Sequence, residues 1–195
     1  MKKKSHMSLA RYLIDSMQNE ELLKYSKSFL FGSILPDCIP SFITRRHTIE
    51  DTFDILKNEL IEIIDNYDWS QGITRGFCRR LGVIIHYIAD YFTFPHNKVF
   101  TGSMKEHITY EFSLMDTLKS YLKSGEADKF LTSDNVFYSV DNICEFIKET
   151  HEKYLEVVEK ISTDCRYIVG MTAQVVMAVL HIFEINYLPR EVKIA

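Results

Sequence analysis

Apolar positions along the chain recur at steps of three and four residues, the helical period, and turn punctuation is sparse. Four prolines and seven glycines in 195 residues leave little room for a many-stranded sheet with its tight turns. The pattern predicts an all-α, single-domain bundle of about seven helices spanning residues 1–195. The first helix runs near Met7 to Met17, and the second from Asn19 or Glu20 to Ser33, stopped by Gly32 and the Leu35-Pro36 step. A polar, proline-bearing loop follows from Pro36 to Arg46. Thr48, with Asp51 three residues on, reads as the N-cap of a helix reaching about Asn66, with apolar positions Phe53, Leu56, Leu60, Ile61 and Ile64. A loop from Tyr67 to Gly72 leads to a fourth helix, Thr74 to Phe92, ended by Pro95. A fifth reaches from about Ser103 to Lys123, where Ser124-Gly125 breaks the chain. The sixth and seventh cover Val140 to Ser162 and Asp164 to Tyr187, and Glu126 to Ser139 has room for one short helix.

Composition adds that the bundle can bury a sizeable core without disulfides, since 46% of residues are apolar and 13% aromatic. The four cysteines, Cys38, Cys78, Cys144 and Cys165, contain no C-x-x-C pair and read as free thiols. A formal net charge of −4 argues against a protein that coats nucleic acid, so nucleic acid is not the expected partner. Three lysines open the chain, but Arg11 and Asp15 interrupt any apolar run behind them; no export signal is legible and a cytoplasmic location is expected. The stretch Tyr167 to Leu188 raises the question of a membrane span. Gln174, His181, Glu184 and Asn186 interrupt it, and a helix buried at the centre of the bundle is the expected reading.

The chemistry lies between residues 86 and 111. His86 and Asp90 stand four apart, which puts an imidazole and a carboxylate on one helix face, in otherwise apolar surroundings. His107 and Glu111 repeat the spacing on the next helix, and His96 lies between the two pairs, just past Pro95. A buried carboxylate needs compensation, and a divalent metal shared with histidine provides it. One such pair alone is more often an ion pair or a hydrogen-bonded core histidine. Two pairs with a third histidine between them favour a metal centre with nitrogen and oxygen ligands, which suits catalytic zinc and leaves iron or manganese open. The Glu-x-x-His spacing of di-iron bundles and the His-Asp dipeptide of another metal phosphohydrolase class are both absent from the sequence. The other candidates have plainer readings. His151 falls in a charged run read as a solvated helix face, and His181 reads as a hydrogen-bonded core residue. Tyr87, Tyr91, Phe92 and Tyr110 read as core, Arg75, Arg79 and Arg80 as a solvated face that can meet a phosphate, and Cys38 as unreactive.

In its spacing, this constellation resembles the zinc-dependent phospholipase C family, which is similar in fold to the single-strand-specific zinc nucleases. The family pairs a histidine and an aspartate four apart, a histidine six residues later, and a histidine and glutamate four apart on the next helix. His86, Asp90, His96, His107 and Glu111 match that pattern, while His6, Pro36-Asp37 and His47 fall in the family's order upstream. The resemblance implies one zinc on His47, His86 and Asp90 and a second on His96, His107 and Glu111. It implies a third held partly by His6, with Asp90 bridging, and Asp37 as general base. In the secreted members an N-terminal tryptophan completes the third site. Here Met1-Lys2-Lys3-Lys4-Ser5 precedes His6 and the only tryptophan is Trp69, so that site is expected to be weaker, absent or completed by water. The implied activity is hydrolysis of phosphodiesters, with a phospholipid headgroup or a smaller phosphoester as partner; a non-catalytic metal-binding domain and a nuclease are the alternatives. The oligomeric state is left open.

Overall fold

In the computed structural model, residues 1–39, 45–131, 137–158 and 160–191 are described. Among them the chain is all α-helical, with no strand. The helices are α1 (Lys3–Met17), α2 (Glu20–Lys24), α3 (Ser26–Gly32), α4 (Ile49–Ile64), α5 (Arg75–Tyr91), α6 (Met104–Lys123), α7 (Val140–Val157) and α8 (Ile161–Glu191). The expected N-cap at Thr48 is present, its hydroxyl accepting the Asp51 N–H at 3.3 Å. Thr74 caps α5 through the Phe77 N–H, and Ser103 caps α6 in a reciprocal box with Glu106.

The architecture departs from the sequence reading in several places, among them the expected sixth helix, which ends at Val157 and not Ser162, so that the last helix begins at Ile161. The first helix starts at Lys3, so His6 lies within it. The expected second helix is two, broken at Tyr25, where ψ swings to 23° with neither glycine nor proline to mark the bend; this makes eight helices of the expected seven. The 126–139 stretch holds only a short 3₁₀ turn, Asp128–Phe130, among its described residues. The loop expected from Pro36 to Arg46 instead opens in a 3₁₀ turn, Leu35–Asp37, and its residues 40–44 lie outside the described residues.

One apolar cluster extends from α1 to α8, and α5 runs through its middle: every residue from Leu81 to Tyr91 is buried, Tyr87 and Tyr91 fully. Around it pack α3, α4 and α8, with α1 on α6 and α8. Among the described residues one helix stretch, 161–187, is long and apolar enough to cross a membrane, and 72% of its most apolar window is buried against the rest of the bundle. It serves as a core helix of the bundle.

Where α3 and α5 cross, glycine lies on glycine. A Cβ on Gly82 would lie 2.3 Å from the Phe29 carbonyl oxygen and 2.8 Å from the Ser33 nitrogen, and one on Gly32 would lie 2.0 Å from the Arg79 carbonyl oxygen. No side chain fits there, so α3 and α5 meet backbone to backbone. Gly82→Ala is therefore expected to destabilise the protein by about 1–3 kcal/mol, through forced overpacking. The check is a fall of several degrees in Tm; unchanged melting would mean that the two helices separate freely.

Candidate metal centre

The C-terminal half of α5 supplies the base of the site. His86 and Asp90 are one turn apart and buried, with His86 Nε2 3.3 Å from Asp90 Oδ2. From α1, His6 stacks its ring on His86, centroids 4.0 Å apart, and sets Nε2 3.3 Å from Asp90 Oδ1. His47, just before the Thr48 cap, places Nδ1 2.9 Å from Asp90 Oδ2 and 3.1 Å from His86 Nε2. Asp37, at the end of the 3₁₀ turn after α3, points Oδ1 toward the same two imidazoles, 3.9 Å from each.

The second cluster forms where α5 gives way to α6. Pro95 lies in a 3₁₀ turn, Phe94–His96, which presents His96 toward α6. There, Glu111 Oε1 is 3.3 Å from His96 Nε2 and 3.4 Å from His107 Nε2. All eight residues singled out by the sequence thus converge at one end of α5. Among the described residues three sets of potential ligand atoms occur, each with its atoms within 4.8 Å of one another: His47, His86 and Asp90; His96, His107 and Glu111; and His6, Asp37 and His86. The first two sets match the trios that the resemblance assigns to its first and second zinc. The third joins His6 to Asp37 and His86, whereas the resemblance pairs it with Asp90.

Two backbone carbonyls orient the imidazoles. The Ser33 carbonyl only accepts, so the 2.9 Å contact from His86 Nδ1 puts the proton there and leaves the Nε2 lone pair facing Asp90 and His47. The His47 carbonyl does the same for His96 Nδ1 at 3.3 Å, aiming Nε2 at the second cluster. Met1 N lies between the clusters, 2.5 Å from Asp90 Oδ1, 3.1 Å from His96 Nε2 and 3.3 Å from Glu111 Oε1.

The electrostatics suit a cation. Burial works to raise the Asp90 carboxyl, but the Met1 amine, His96, His6 and His86 outweigh it and hold the group well below the usual carboxylate range. Glu111 is lowered likewise, against its burial, by His107, His96, Met1 and Lys2. Burial brings His6 down to about 3 and lowers His96, which keeps both as neutral lone-pair donors. His6 Nε2 is buried without a hydrogen-bond partner. An orphaned imidazole nitrogen and two low-pKa carboxylates, all of them hard or borderline donors with no thiolate, fit divalent zinc.

Several residues behave otherwise than expected. His151 is buried, and its Nε2 donates to Asn97 Oδ1 at 2.7 Å, because it shares the inner face of α7 with Cys144, Ile147 and Tyr154. His181 is exposed on α8, not a core residue. Arg80 pairs with Glu59 and Glu62, while Arg75 and Arg79 line a separate groove with Lys27. The cations at the site are ones that sequence reasoning passed over. Lys2, Lys3 and Arg45 line a cleft of about 410 Å³ together with Asp37, His47 and Glu111. Arg46 and Lys98 line a second opening of about 570 Å³ beside His96 and His107. The available signal was the Arg45-Arg46 pair directly before His47.

A family model described as zinc dependent phospholipase C matches residues 5–161, which takes in every one of these residues apart from the cations at 2 and 3, Met1 and His181. No curated protein and no solved structure matches the chain.

Because an ion bound only by the folded state stabilises it, chelation is expected to lower Tm. Zinc at 100 times its dissociation constant adds about 2.7 kcal/mol per linked ion, or about 5–10 °C in a chain of this size. Melting that is identical with and without EDTA, in protein isolated with zinc, would count against the centre.

Proposed function

The chain belongs to the zinc-dependent phospholipase C family, and on that premise we propose that it is a phosphodiester hydrolase of the phospholipase C type, acting on a phospholipid headgroup or a smaller phosphoester. The observation that carries the proposal is the gathering of two candidate ligand trios at one end of α5, beneath an open cleft lined by Asp37, His47, His96 and Glu111 together with lysine and arginine. His47, His86 and Asp90 would hold one zinc and His96, His107 and Glu111 a second, with His6 beside the first. Zinc bound there supplies Lewis acidity toward phosphoryl oxygens and makes a nucleophile of water at neutral pH.

The protein's own groups do the rest. Asp37 stands at the cleft wall with its side chain 22% exposed, near enough to solvent to receive a proton and near enough to His47 and His86 to meet the reacting centre. Lys2, paired with Glu111 at 3.1 Å, Arg45, paired with Asp54 at 3.2 Å, and Lys3 stand at the cleft where they would meet and orient the phosphate of an anionic phosphoester. The carbonyls of Ser33 and His47 keep the imidazoles in their ligating tautomers.

One observation favours a second reading of Asp37. It also forms a ligand-distance set with His6 and His86, and so suits a third ion. Asp37→Asn separates the two. As a general base it is expected to lose about 10²- to 10⁴-fold in kcat on bis-nitrophenyl phosphate and choline-phosphate esters, with zinc content and Tm unchanged. As a ligand it is expected to lose one ion. Wild-type protein that is zinc-loaded yet inactive on every phosphodiester tested would overturn the proposal and leave a non-catalytic metal domain.

A further inference from the structure

Outside the ligand sets, one carboxylate among the described residues is fully buried: Asp164, in the first turn of α8 and past residue 161, where the family match stops. Its partners are three neutral donors. Oδ2 accepts the Phe94 N–H at 2.9 Å and the Tyr110 hydroxyl at 2.8 Å, and Oδ1 accepts the Tyr154 hydroxyl at 2.8 Å. Burial pushes the carboxyl up to about 6 despite these bonds. A buried charge answered only by neutral groups is a poor way to stabilise a bundle.

What the donors share is the second metal cluster. Phe94 opens the 3₁₀ turn that ends on His96, and Tyr110 sits on α6 between His107 and Glu111. A single oxygen therefore ties the turn carrying one ligand to the helix carrying the other two, and Tyr154 fixes that carboxylate to α7. The turn is braced on its other side as well. Asn97 donates to the Tyr91 and Thr93 carbonyls and accepts from His151, so the residues on both sides of His96 are held.

We propose that Asp164 is a positioning residue for the second zinc: by receiving Phe94 and Tyr110 on one oxygen it sets the distance between His96 and the His107–Glu111 pair, and with it the affinity of that site. The proposal rests on the reading of that cluster as a zinc site. It places in α8 a determinant that the ligand pattern does not contain. Its action passes through main chain and tyrosine hydroxyls, without contact to the ion.

The test is zinc competition against a chromophoric chelator, with the visible spectrum of the cobalt-substituted protein. His107→Ala serves as the reference that removes the second ion. Asp164→Asn is expected to weaken the second ion by about 10- to 100-fold, leave the first unchanged and alter the part of the cobalt spectrum that His107→Ala abolishes. Tyr110→Phe, which keeps the buried carboxylate and deletes one hydroxyl, is expected to shift the same ion in the same direction by a smaller factor; it decides the matter if Asp164→Asn does not fold. A second ion bound as tightly as in wild type by the folded variants, even with a lowered Tm, would overturn the proposal and leave Asp164 a purely structural residue. Wild-type protein that takes up no second ion, and so titrates like His107→Ala, would overturn the zinc reading of the cluster and this proposal with it.

Discussion

The burial of the Asp90 carboxylate in the middle of an apolar bundle is the constraint around which the other elements are placed. An isolated carboxylate in such a position costs several kcal/mol. Asp90 is instead met by the Met1 amine at 2.5 Å and His47 Nδ1 at 2.9 Å, while the His6 and His86 Nε2 atoms, 3.3 Å away, face it with lone pairs that a shared cation would reconcile with the carboxylate. Those groups come from the start of the chain, α1, the segment before α4, and α5 itself, so the compensation is assembled from distant sequence. It also depends on backbone contact. The Gly32–Gly82 approach lets α3 lie against α5 closely enough for the Ser33 carbonyl to reach His86 Nδ1. A side chain between the helices would move that carbonyl, and with it the lone pair that His86 turns toward Asp90.

Much of this was legible in the sequence, and for a physical reason. A helix converts a spacing of four into a shared face, so His86 with Asp90 and His107 with Glu111 are readable wherever the apolar period assures a helix. Features set by tertiary contact were not. Nothing local marks the bend at Tyr25. His151 stands in a charged run, and only its register with Cys144, Ile147 and Tyr154, steps of three, four and three, places it inside; composition pointed outward while period pointed inward, and period won. The exposure of His181 shows the reverse case, an apolar neighbourhood whose helix turns one face to solvent. The cations at the two openings were hidden because Lys2, Lys3 and Arg45 at one and Arg46 at the other are gathered only when α1 and the His47 segment are brought to the same end of α5.

The two candidate ligand trios are one unit. His96 takes its tautomer from the His47 carbonyl, a backbone group of the first trio, and its Nδ1 lies 3.9 Å from Asp90 Oδ2. Met1 N touches Asp90 and Glu111 together. A displacement of the segment holding His47 therefore reaches both trios, the first through an imidazole and the second through a carbonyl. Charge is shared in the same way, since the groups that lower Asp90 include His96 from the second trio.

A ligand pattern names the atoms that touch an ion, and the family match ends at residue 161 with that pattern complete. The distances among those atoms are set by other means. Phe94 and Asn97, on either side of His96, are bonded respectively to α8 and α7, helices that contribute none of the candidate ligands. These bonds restrain a turn whose own 3₁₀ geometry is short and weak. A three-residue turn free to shift by an ångström would leave His96 outside bonding distance of an ion held by His107 and Glu111. The last helix, apolar enough to resemble a membrane span by composition, thus has a second task besides filling the core: its first turn carries the carboxylate to which the His96 turn and the α6 tyrosine are both anchored.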